Sequence, residues 1–138
     1  MRKIPNFELW IGHAGDLRDP RALLDQRIQA VVEVADNEPM ATLPRDLIRC
    51  RFPIVDGEED RLWLLRLAAE TTAGFLDAGI SVLVCCSNGM SRSVCIAAGA
   101  LMVAEGTVPE IALSTVAKTG PSDVSPALYE QLVAALRG

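Results

Sequence analysis

The stretch Ser81–Met102, SVLVCCSNGMSRSVCIAAGALM, constrains the fold more than any other part of the chain. It opens on small and apolar residues with β-branched Val82 and Val84, the composition of a strand buried on both faces. A polar turn containing Gly89 follows. From Arg92 to about Glu105 the chain is apolar on nearly every side, and Gly106 closes the segment. A helix without a polar face belongs at the centre of a domain. The small residues Ala97, Ala98, Gly99 and Ala100 let it lie close against a sheet. Buried strand, tight turn and buried helix together make the repeating unit of an α/β domain.

The rest of the chain continues the alternation. Periodicity and β-branched runs predict strands at 7–11, 28–34, 47–55 and 81–85, with an acidic loop, Asp56–Asp60, after the third. Helices are expected at 20–26, 61–78, 92–105, 108–119 and 126–136. Asp19, Pro20 and Ser125 read as start signals and Gly79 as a stop. The expected architecture is a single α/β domain over residues 1–138, with a mostly parallel central sheet of four to five strands flanked by helices.

Composition narrows the function classes. The 138 residues are 50% hydrophobic, which fits a packed core. The formal net charge of -5 and the lack of a basic cluster argue against nucleic acid as a partner. The longest apolar run, Val94–Ala104, is 11 residues, where a membrane span needs about 20. The N-terminal MRKIPNFELW has no apolar signal-peptide core, so the expectation is a cytoplasmic protein without a membrane partner. Oligomeric state is not legible. The single histidine, His13, and adjacent Cys85 and Cys86 suit neither a structural zinc site nor a disulfide scaffold, and no metal or cofactor is expected.

Residues Cys86-Ser87-Asn88-Gly89-Met90-Ser91-Arg92 carry the chemistry. They lie between the carboxyl end of a strand and the first turn of a helix, where an open α/β sheet binds ligands and unpaired N–H groups favour anions. Gly89 permits a tight loop whose amides converge. Arg92 supplies a planar fork for two oxygens of a tetrahedral anion. A thiol in such surroundings ionises more readily than a free one and becomes a nucleophile. Ser87 to Arg92 are therefore the expected phosphate-binding residues and Cys86 the expected acceptor of a phosphoryl group. The alternative is a buried strand end with incidental cysteines.

These residues resemble the His-Cys-x-x-Gly-x-Ser-Arg-Ser signature of cysteine-dependent dual-specificity protein phosphatases, within the protein tyrosine phosphatase superfamily. Cys86, Gly89, Ser91, Arg92 and Ser93 fall in register. LWIGHAGDLRD, IQAVVEV and GPSDVSPALYEQL resemble the opening strand, second strand and closing segment of that family. The resemblance implies Cys86 as nucleophile, Arg92 as phosphate ligand and Ser93 as the hydroxyl that stabilises the leaving thiolate. It places the general acid some thirty residues upstream, where Asp56 stands; Asp60 is the fallback, with Glu58 and Glu59 behind it. Asp60 reads equally as the N-cap of the following helix. Four clustered carboxylates should raise the pKa of any one of them.

The implied substrate is a phosphorylated protein, on tyrosine or on serine and threonine, or a small phosphate ester. The pattern departs at Cys85, which stands where the family has histidine. Strand alternation turns Cys85 to the opposite face from Cys86, into the core, and a redox role is the alternative. A phosphate-binding module without turnover is the second function class, and a rhodanese-like sulfurtransferase the third. Cys50, Cys95, Trp10 and Trp63 are expected in the core and His13 in a turn or at the surface.

Overall fold

The computed structural model describes all 138 residues. Five strands, β1 (Arg2–Lys3), β2 (Leu9–His13), β3 (Ala30–Glu33), β4 (Ile48–Arg51) and β5 (Val82–Cys86), form one sheet in the order β1-β2-β5-β3-β4. Only β1 runs antiparallel. Helices α1 (Pro20–Asp25), α2 (Leu62–Asp77), α3 (Arg92–Glu105), α4 (Pro109–Ala117) and α5 (Pro126–Arg137) complete the molecule, with a 3-10 turn at Ala14–Arg18. The expected mostly parallel α/β architecture is the observed one. The strand missed from sequence, β1, is two residues long, too short for any periodicity to register.

Strand β5 lies in the middle of the sheet, and all five of its residues are buried, as its unbroken apolar sequence requires. Its side chains divide between two cores. Val82, Val84 and Cys86 join the large core with α2, α3, α4 and α5. Leu83 and Cys85 join the smaller one with Leu17, Leu23, Val31 and Leu47. Helix α3 is buried from Arg92 to Leu101 and packs mainly on α2, α4 and α5. A Cβ added at Gly99 would stand 3.0 Å from Ala69 Cβ and 3.1 Å from Leu132 Cδ1, so that position holds α3 close to its neighbours.

Some expectations fail in detail. Trp63 is 63% exposed on the outer face of α2 and is not core, and Cys50 is only half-buried. Helix α2 starts at Leu62 with Arg61 as its cap residue, so Asp60 is not its N-cap. His13 is exposed, as expected, and its Nδ1 accepts from Gly15 N at 3.0 Å to cap the 3-10 turn.

Candidate active site

The loop Ser87–Ser91 joins β5 to α3 at the carboxyl edge of the sheet. It is tight because Gly89 takes φ +71°, and a Cβ there would lie 2.9 Å from the Gly12 carbonyl oxygen. Both conditions select glycine. Ser91 is the cap residue of α3 but makes no side-chain cap hydrogen bond, which leaves the first-turn N–H groups without that internal acceptor. Those groups and the positive end of the helix suit an anion.

Cys86 ends β5, is 4% exposed, and lines a cavity of about 360 Å³ with Ser87, Asn88, Met90, Ser91 and Arg92. Its Sγ is hydrogen-bonded to Ser93 Oγ at 3.2 Å and accepts from Ser93 N at 3.4 Å. In the first of these the thiol donates and the Ser93 hydroxyl accepts. Ser93 is thus positioned against the sulfur, as the resemblance implies.

Arg92 is the first residue of α3 and is 3% exposed. Its Nη1 donates to Asp36 Oδ1 at 3.0 Å, Asn37 Oδ1 at 3.2 Å and the Ile54 carbonyl at 3.0 Å; its Nη2 donates to Ser87 Oγ at 3.0 Å. Its Nε is buried with no hydrogen-bond partner, and so is Ser91 Oγ. A buried guanidinium donor left unpaired is costly, so an acceptor is expected from a ligand.

Asp56 lines the same cavity from the loop after β4, as does Gly57, while Glu58 and Asp60 line a separate cleft on α5. Glu59 is buried at 3% exposure and holds the loop together. It accepts from Val55 N, Arg61 N and the Arg61 guanidinium at 2.8–3.0 Å, and its own N–H donates to Gln131 Oε1 at 2.7 Å. The Arg61 guanidinium lowers the Glu59 pKa to about 2. The expected mutual raising of clustered carboxylates fails for Glu59 because one of the neighbours is a cation bonded to it.

Three contributors were not legible in the sequence. Asp36 lies 56 residues from Arg92, and nothing in their spacing links them. Asp123 enters the Cys86 cavity from the closing loop, whose main chain is tied to the Met90 carbonyl by Asp123 N at 2.7 Å. Arg2 reaches over the sheet edge and donates to Gly89 O at 3.3 Å, Thr119 Oγ1 at 2.9 Å and Pro121 O at 3.1 Å. Arg2 has no carboxylate partner, and a Cβ at Gly120 would lie 2.7 Å from its Cδ. Cys85, which stands where the signature has histidine, packs in the small core, where burial pushes its thiol well above the usual range.

No family model and no curated protein sequence matches the chain. Solved structures do. Human DUSP28 superposes at TM-score 0.87 with 24% identity over 99% of this chain and 96% of that one. A mouse protein described as a dual specificity phosphatase, solved with zinc tungstate, superposes at 0.86 with 25% identity over 99% and 86%. The human tyrosine phosphatase-like serine/threonine/tyrosine-interacting protein superposes at 0.83 with 19% identity over 99% and 95%.

Proposed function

From a chain that carries the dual-specificity phosphatase fold, we propose that it hydrolyses phosphate monoesters through a cysteinyl-phosphate intermediate. The observation that carries the proposal is Arg92: a buried guanidinium anchored through Nη1 and Nη2, with Nε lacking any partner, in the same seven-residue segment as the Cys86 sulfur. A phosphate oxygen would satisfy that donor and bring phosphorus to the sulfur.

The chemistry follows in two balanced steps. The Cys86 thiolate attacks phosphorus in line with the ester oxygen, the P–O bond breaks, and Asp56 gives its proton to the departing oxygen. The loop amides and Arg92 hold the equatorial oxygens as charge redistributes. Water then attacks the phosphocysteine, Asp56 takes back a proton, and Cys86 leaves as thiolate with Ser93 donating to it. The substrate class is a phosphorylated protein or small phosphate ester.

The first test is turnover of p-nitrophenyl phosphate without added metal. Cys86→Ser is expected to abolish it. Asp56→Asn is expected to slow poor leaving groups more than p-nitrophenolate, because an acidic phenol needs little protonation. Equal losses across leaving groups would move the acid role away from Asp56. A second reading, phosphate binding without turnover, is favoured by one observation, the thiol of Cys85 where the signature has histidine. Phosphopeptide binding with turnover no greater than the Cys86→Ser background would establish it.

A further inference from the structure

A second cavity, of about 290 Å³, opens at the same sheet edge and shares Cys86 with the first. Its apolar lining includes Leu17, Ala35, Met40 and Cys85. The small Cys85 side chain is part of this wall, and its burial-raised pKa keeps the thiol uncharged near neutrality. Arg18 and Arg51 also line the cavity, and neither forms an ion pair. Two carboxylates belong to the lining. Glu33 is neutralised by Arg49 at 2.7 Å, and Glu38 accepts from Arg51 through its main-chain carbonyl. With Glu33 paired to Arg49, the Arg18 and Arg51 guanidinium groups face only the Glu38 carboxylate. This leaves an excess of one positive charge beside an apolar wall in a chain of net charge -5.

We propose that this cavity is a substrate subsite, taking the organic body of a small phosphate monoester whose phosphate occupies the Cys86–Arg92 loop, with Arg18 and Arg51 binding a second anionic group, carboxylate or phosphate. The inference rests on the phosphatase reading and extends it to a substrate class. The volume sits at the low end of small-molecule sites, enough for a ring system and too little for a folded peptide segment. The apolar wall supplies burial for the body, and the two arginines add charge-assisted hydrogen bonds.

The test compares 2-naphthyl phosphate with 6-carboxy-2-naphthyl phosphate. In the wild type, kcat/KM is expected to favour the carboxylated ester about tenfold. The ratio between the two esters is expected to fall toward one in Arg18→Ala/Arg51→Ala, and part of the way in Arg18→Ala, whose side chain is exposed and bonded to nothing. Thermal unfolding of each variant reports that the fold is retained. No preference in the wild type, or a preference that survives both substitutions, would overturn the subsite. So would a phosphopeptide strongly preferred over both esters, which would make the partner macromolecular. If p-nitrophenyl phosphate is not turned over, the phosphatase reading fails separately. The subsite is then decided by fluorescence titration of Cys86→Ser with both esters: tighter binding of the carboxylated one, lost without the two arginines, sustains it, and equal binding refutes it.

Discussion

Arg2 holds the Cys86 loop from a distant part of the chain. Its three hydrogen bonds join the Gly89 carbonyl to Thr119 and Pro121, so the loop and the closing segment are held by one cation. Burial lowers the Arg2 pKa. Arg2→Gln keeps some hydrogen-bonding capacity and removes the charge. It is expected to loosen the tie between the loop and the closing segment and to lower kcat/KM for p-nitrophenyl phosphate several-fold. An unchanged kcat/KM would show that the loop keeps its shape without Arg2. At this scale Cys86 and Arg92 were legible because they share one short segment with a signature. Arg2, Asp36 and Asp123 were not, because each reaches the site from a distant part of the chain that carries no pattern of its own.

The loop after β4 behaves as a built element, not a solvated acidic turn. Glu59 ties it to itself through Val55 and Arg61 and to α5 through Gln131, and Ser125 Oγ donates to the Gly57 carbonyl beside Asp56. Because Glu59 has its folded-state pKa lowered to about 2, its stabilisation is fully present above the unfolded carboxylate value and is lost as pH falls toward 2. Glu59→Gln is expected to cost on the order of 3 kcal/mol at pH 7 and to flatten the loss of stability between about pH 4.5 and 2. Urea titrations across that range check it, and a variant with the wild-type pH slope would contradict it. The same loop shows where reading by composition stops. Four carboxylates in five residues look equivalent in sequence, yet one is buried against an arginine, one lines the Cys86 cavity and two line a cleft elsewhere. Helices α3 and α5 were legible to within a residue, because an apolar helix closed by glycine and a Ser-Pro start are local signals. Trp63 misled because a large aromatic reads as core wherever it sits, whereas its position on α2 faces out.

Across the whole molecule, β5 links everything the site needs. It is the middle strand, its alternate residues belong to cores on both faces of the sheet, and its last residue is Cys86, which touches both cavities. Damage to the small core should therefore be felt by the entire fold. Leu83→Ala is expected to cost about 3 kcal/mol, lowering the urea midpoint with an unchanged m-value, as would Leu65→Ala in the large core. A separate early transition in Leu83→Ala would show that the two faces unfold independently. The sheet order itself could not be derived from sequence, since strands pair by long-range register that local periodicity does not encode. The central claim is that the sulfur of Cys86 takes up phosphorus, and the most direct measurement is intact-mass analysis of protein acid-quenched during turnover of p-nitrophenyl phosphate. The expected result is one added phosphoryl group, mapped to Cys86 and absent from Cys86→Ser. Turnover without any such adduct, or an adduct that persists in Cys86→Ser, would contradict it.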